Sequence, residues 1–276
     1  MISRPPPTAV RQHGAALAVL LAVAATLPDS AAAQDKDSIV TDRPDFVESS
    51  DVVGIGRLQI ETSVAFERNR TDSARDRLTS TPTLLRFGVA DAWELRLETD
   101  GRLIAHSTDL DNGHTERSSG YADTSLGVKW HALDAAGNWP SVGLLAHADL
   151  DSGSAPFRGA GVRPSLRLAA EWELADDFGL GLMPGLIYDK DAAGQRYVGA
   201  IFGIVLGKTW HERLRAFVEL AAPQLARASH GGSVSTFDTG LAYLLTPTCQ
   251  IDSAIARGLN HNTPDWSWTV GLSVKL

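Results

Sequence analysis

Alternation with a period of two, repeated in segments of about ten residues along almost the whole chain, limits the fold more than any other feature. In the first such segment Leu58, Ile60, Thr62, Val64 and Phe66 share one face, and Arg57, Gln59, Glu61, Ser63 and Glu67 the other. The pattern returns as Trp93, Leu95 and Leu97 against Glu94, Arg96 and Glu98, and as Leu166, Leu168, Ala170 and Trp172 against Arg163, Arg167, Glu171 and Glu173. It closes the chain with Trp266, Trp268, Val270, Leu272, Val274 and Leu276 against Ser267, Thr269, Gly271, Ser273 and Lys275. Successive side chains of a strand point to opposite faces, so each segment reads as a strand with one apolar and one polar side. After residue 55 nothing keeps a helical period, and nothing is apolar for the roughly 20 residues of a membrane-spanning helix.

The count predicts strands near residues 57–67, 78–88, 93–105, 120–131, 140–150, 162–173, 179–189, 196–208, 213–223, 234–246, 249–258 and 266–276. Their lengths suit the roughly 9–11 residues with which a tilted strand crosses a bilayer. A soluble sandwich alternates too, so the connections must decide. Residues 69–76, 106–119, 151–161, 190–195, 224–233 and 259–265 form a longer, polar set, interleaved with mostly tighter links at 89–92, 133–139, 174–178, 211–212 and 247–248. Long loops at one end and short turns at the other belong to outer-membrane barrels. Trp93, Trp130, Trp139, Trp172, Trp210 and Trp266 fall at or beside strand ends, where an indole spans the boundary between acyl chains and headgroups. In hydrocarbon an open sheet edge would leave backbone groups unpaired at several kcal/mol each, roughly, so the sheet should close. The expected fold is therefore all-β: an antiparallel transmembrane β-barrel of about 12 strands over residues 56–276, with residues 34–55 as a periplasmic or lumen-plug segment.

The N-terminus agrees with that compartment. Arg4 and Arg11 precede the apolar run Ala15 to Leu27, and Ala31-Ala32-Ala33 supplies an Ala-x-Ala site, so a secretory leader cleaved after Ala33 is expected. A net charge of −8 gives no footprint for nucleic acid. The single cysteine, Cys249, has no intramolecular partner and reads as structural.

Several motifs carry a resemblance. Thr41-Asp42-Arg43-Pro44-Asp45-Phe46 and Gly56-Arg57-Leu58-Gln59-Ile60-Glu61 are followed by Asp91-Ala92-Trp93-Glu94-Leu95-Arg96, Gly120-Tyr121-Ala122-Asp123 with Gly127-Val128-Lys129-Trp130, and Gly258-Leu259-Asn260 with Pro264-Asp265 before Gly271-Leu272-Ser273. In order and spacing the chain resembles the outer-membrane proteins grouped as "Putative MetA-pathway of phenol degradation". The resemblance implies an outer-membrane barrel with an uptake role for aromatic or other apolar compounds. Residues 151–232 carry no motif that matches.

Function can be argued by residue type only on the inward face. Candidate pore-lining residues are Arg57, Glu61, Glu94, Arg96, Glu98, Asp123, Lys129, Arg163, Arg167 and Glu171, joined by Glu67, Asp100 and Glu173. Acids outnumber bases, which would tilt a water-filled pore towards cations. The same charges could instead pair across strands and fill a narrow barrel. In residues 179–208 the alternation fails, with Leu180, Leu182, Met183, Leu186, Ile187, Val198, Ile201, Phe202, Ile204, Val205 and Leu206 apolar on both faces. Something apolar must meet the inner side there: a hydrophobic ligand path, simple packing, or a plug in which Asp42, Arg43 and Asp45 pair with lumen charges while Phe46 meets the apolar wall.

Catalysis finds little support. Ser141, His147 and Asp149 lie along one strand, but a triad needs hydrogen-bond contact that spacing along a strand does not supply. Asp109-Leu110-Asp111 and Asp189-Lys190-Asp191 lack the full spacing of a calcium loop, and no phosphate-binding Gly-rich loop is present. No cofactor or metal is expected. The sequence points to passive uptake of small solutes, aromatic or otherwise apolar, by a non-enzyme whose partners are outer-membrane lipid, the solute and the barrel-assembly machinery. A structural or adhesive barrel without a conducting pore is the alternative, and a barrel hydrolase a more distant one.

Overall fold

The computed structural model describes residues 38–191 and 193–276. The expected leader and its cleavage site, together with residues 34–37 of the expected plug segment, lie outside these.

Fifteen β segments follow one another: β1 (Leu58–Arg70), β2 (Ala74–Ser80), β3 (Thr83–Ala90), β4 (Trp93–Thr99), β5 (Arg102–Asp109), β6 (Thr115–Tyr121), β7 (Thr124–Leu133), β8 (Ser141–Asp149), β9 (Arg163–Glu173), β10 (Phe178–Lys190), β11 (Arg196–Trp210), β12 (Leu214–Leu225), β13 (Val234–Thr246), β14 (Cys249–Gly258) and β15 (Trp266–Lys275). They make twelve staves, because β2 with β3, β4 with β5, and β6 with β7 are each one strand interrupted near its middle. All neighbours are antiparallel, and β15 returns to β1 in a register running from Gln59 opposite Lys275 to Arg68 opposite Trp266. The barrel is closed, as the cost of an open edge in lipid requires.

Two of the interruptions have a local cause. Pro82 has no N–H to give the ladder, and its carbonyl accepts the N–H of Ser63. Gly101 adopts φ +64, and a Cβ there would run into the Thr81 carbonyl. Thr83 lies opposite Thr99 while Thr79 lies opposite Ile104, so four steps on one stave face five on the next. That is a one-residue bulge, and it exchanges the faces of the later residues of that stave.

Beyond these breaks β1, β2, β5 and β6 run on as a four-stranded extension at the end away from the termini. The connections expected at 69–76 and 106–119 are consequently short turns at 71–73 and 110–114. Above the membrane both faces of a strand meet water, so the extension shows no apolar alternation and reads as loop. The outer edge of β6 is met at its end, where the Tyr121 N–H donates to Ser154 Oγ and the Tyr121 carbonyl accepts the Ser154 N–H.

The outer wall is apolar and exposed, with Leu95, Leu126, Leu166, Leu186, Val198 and Leu241 among its residues. Aromatic rings border this belt at both ends. Trp93 stacks on Trp130 at 5.5 Å near the termini, and Phe66 stacks on Trp268 at 5.7 Å near the extension. An apolar surface of this extent, edged by aromatics, is covered by lipid. The interior is the reverse of a soluble core: Gln59, Glu61, Arg86, Glu94, Lys129 and Ser273 are fully enclosed within it.

Candidate functional site: the lumen and its inserted segment

Residues 38–55 do not lie outside the barrel but run through its lumen. At Ile39 the backbone N–H donates to the Pro247 carbonyl, and the Val40 carbonyl accepts from Gln59 and Arg86. Asp42 then reaches the charged wall built by β1, β3, β4 and β7. Its carboxylate lies 2.6 Å from Arg96 Nη1 and 2.9 Å from Lys129 Nζ, and it accepts the Ser49 N–H at 2.8 Å. Arg86 bridges Glu61 at 3.1 Å and Glu94 at 2.9 Å, while Arg96 adds Glu94, Glu98 and Glu48. Three bases thus meet Asp42, Glu61 and Glu94 away from water. An unpaired charge there would cost several kcal/mol, roughly, so the network holds as a set. Burial pushes the Asp42 carboxyl up, but Arg86, Lys129 and Arg96 more than offset it and hold the group well below the usual carboxylate range.

The opposite wall is apolar. Inward positions of β10 and β11 alternate glycine with Met183, Ile201 and Val205, and Val47 packs into a cluster of Met183, Val205, Phe217 and Ala254 with Phe46 alongside. A Cβ on Gly203 would stand 2.6 Å from the Val47 side chain, so the missing side chain makes the notch that seats the segment. Glu219 accepts the N–H groups of Phe46 and Val47, each at 2.8 Å. Flanking ties complete the seating: Arg43 to Asp252 at 3.1 Å, Asp45 to Arg215 in a two-bonded fork, Glu48 to Arg167, and Ser49 and Ser50 to Glu171.

The segment leaves open space on either side. One cavity of about 540 Å³ lies towards the termini, bordered by His131, Glu171, Trp172, Arg213 and Arg215. Another of about 540 Å³ lies towards the extension, bordered by Arg96, Glu98, Asp123, Arg163 and Arg167. Asp45 alone borders both.

The residues singled out from sequence are thus distributed unevenly. Glu61, Glu94, Arg96 and Lys129 sit with Asp42 at mid-lumen, and Glu98 extends that group by contacting His147 at 3.1 Å. Asp123 and Arg163 pair at 2.8 Å in the outer cavity, where Asp123 also accepts the N–H groups of Gly153 and Gly159 and so shapes the loop after β8. Arg57 precedes β1, is exposed and borders neither cavity. Because Asp42, Glu48 and the wall charges pair with one another, the surplus of acids expected to tilt the pore towards cations does not stand free at mid-lumen. Sequence reasoning missed Arg86, Glu219, Asp252, Arg215 and Glu48. Period two already points Arg86 inward, since Leu85 and Phe87 flank it, and points Glu219 inward between Val218 and Leu220.

Ser141 bonds Ser50 and the Leu133 carbonyl, whereas His147 faces Arg96 and Glu98, so these two do not meet. Asp109 caps its own turn, and Asp191 ties the loop after β10 to His230 at 2.9 Å. Cys249 is buried.

Comparison with solved structures places the architecture. An outer membrane channel from Pseudomonas putida F1 superposes with TM-score 0.61 at 14% identity, covering 82% of this chain and 98% of that one. The CymD monoaromatic hydrocarbon channel gives 0.43 at 10% identity, covering 80% of this chain and 88% of that one. The NanC porin gives 0.48 at 13%, covering 79% of this chain and 100% of that one. No curated protein matches in sequence. At 14% identity the first of these supports the outer-membrane barrel fold and nothing finer. The family model described as "Putative MetA-pathway of phenol degradation" matches residues 41–276, nearly the whole described barrel with its inserted segment, and the chain belongs to that family.

Proposed function

We propose that the protein is a passive outer-membrane channel for small solutes, closed by residues 38–55 acting as a plug. The observation that carries this reading is the division of one lumen into two cavities by a single chain segment, held along most of its length by side chains of the wall, with backbone ties to the barrel at Ile39 and Ile55. A barrel built only as a filled structural support would have no use for the two vestibules. The wall that the plug covers supports an apolar or aromatic solute: with Phe46 and Val47 withdrawn, Met183, Val205 and Phe217 would line a hydrophobic strip facing charged residues. The family's association with phenol degradation agrees with that chemistry. Flux through such a channel would follow the concentration gradient.

A second reading, a non-conducting structural barrel, draws on the complete pairing of Asp42, Glu61, Glu94, Arg86, Arg96 and Lys129. Single-channel recording on residues 34–276 in a planar bilayer, with and without residues 34–54, separates the two. The channel reading expects small or rare openings from the complete mature chain and large steady ones after deletion. Silence from both, with the heat-shifted gel band of a folded barrel, sinks it.

A further inference from the structure

The outer wall carries one feature that transport does not use. At the level of the Phe66–Trp268 stack, paired positions across β14, β15, β1, β2, β5 and β6 read Ile255, Trp268, Phe66, Thr79, Ile104 and Ser119. One pleat further from the termini, on the same outward face, the row reads Arg257, Trp266, Arg68, Arg77, His106 and Arg117. Arg70 opposite Arg75 stands one pleat beyond that. The stacked Phe66–Trp268 pair and its aliphatic neighbours are thus capped by a row that carries guanidinium groups on four of six adjacent strands.

Side chains directly opposite in a ladder have Cβ atoms about 5 Å apart, and like charges there repel. Arg68, Arg77 and Arg117 have no ion pair among the described residues, and the outward acid nearby, Asp265, is taken by Arg257 and the Arg70 N–H. The enclosed cations Arg86, Arg96 and Lys129 are all paired in the lumen, so three guanidinium groups in one row without an ion pair are a departure that wants an external anion. Its height supplies the candidate: just above an aromatic girdle lie the headgroups of the outer leaflet. Guanidinium forks match phosphate oxygens two at a time.

We propose that this face is a binding site for a phosphate-bearing lipid of the outer leaflet, whose acyl chains lie along Ile255, Trp268 and Phe66 while its phosphates meet Arg68, Arg77, Arg117 and their neighbours. The lipid neutralises the row and steadies the free strand β6. This inference needs the barrel to sit in the membrane with its longer loops outward, and it is independent of whether the lumen conducts.

The test uses the complete mature chain in detergent, titrated with a diglucosamine lipid carrying two phosphates and followed by native mass spectrometry. Arg68→Gln/Arg77→Gln/Arg117→Gln, whose changes all lie outside the lumen, should lose at least tenfold in affinity, and the matching triple Lys variant should lose much less. A second arm needs no substitution: the dephosphorylated lipid should bind the unaltered protein at least tenfold more weakly, and inorganic phosphate at equal concentration should not displace the bound lipid. Equal affinity of the triple Gln variant, equal binding of the dephosphorylated lipid, or displacement by free phosphate would each overturn the proposal.

Discussion

The two halves of the lumen wall hold the same segment by opposite means. Around β1, β3, β4 and β7 the wall is charged, and Asp42 is fixed by directional ion pairs to Arg96 and Lys129. Around β10, β11 and β12 it is apolar and glycine-notched, and Val47 is fixed by packing against Met183, Val205 and Phe217. Packing alone tolerates sliding, because apolar contact has little directional preference. Ion pairs alone would leave half of the segment unburied. Together they specify one register, the charged wall setting position and the apolar wall supplying contact area.

The charged side is the more sensitive of the two to substitution. Arg86→Ala leaves Glu61 and Glu94 facing each other without their shared cation, and should cost about 3–5 kcal/mol against thermal or denaturant unfolding. Next in size, Gly203→Val fills the notch under Val47 and should cost about 1–3 kcal/mol through overpacking, read as more frequent openings in a planar bilayer while the heat-shifted band persists. Val47→Ala removes contact from the apolar side without touching a charge, and should weaken seating by about 1–2 kcal/mol, seen as faster proteolysis within residues 38–55.

The smallest effect expected is that of mild acid, and its sign sharpens the contrast. A carboxyl whose folded pKa is lowered stabilises the docked form at every pH above its unfolded value, and loses that contribution only as pH falls through the folded one. Asp42 is held well below the usual carboxylate range, so its contribution persists through the whole range down to roughly pH 4. Conductance of residues 34–276 should therefore match at pH 7 and pH 5. An opening between those values would mean that another tie of the segment, such as Glu219 beneath Phe46 and Val47 or His131 beside Ser50, governs its seating.

What was legible followed the media the residues meet. Where one face of a strand touches lipid and the other the lumen, alternation is strong, and all twelve staves lie where the period predicts them. In residues 69–77 and 106–119 both faces meet water, so strand looks like loop and the cationic ladder of Arg68, Arg77, His106 and Arg117 stays invisible until register aligns it. The failed alternation in residues 179–208 had a readable meaning, since an apolar inner face must touch something apolar, but its partner could not be chosen from the pattern. Arg86 lies within reach of the period, whereas Glu48 and Ser50 lie in a segment with no period at all.

Sequence by itself determined the staves, their inward and outward faces, the closure and the membrane belt, because each depends only on local periodicity and on the cost of unpaired backbone in lipid. Tertiary structure decided which charges pair, where residues 38–55 lie and how three staves break. Those depend on residues far apart along the chain: Asp42 finds Lys129 and Asp45 finds Arg215 only after a closed cylinder has fixed every strand's register against its neighbours.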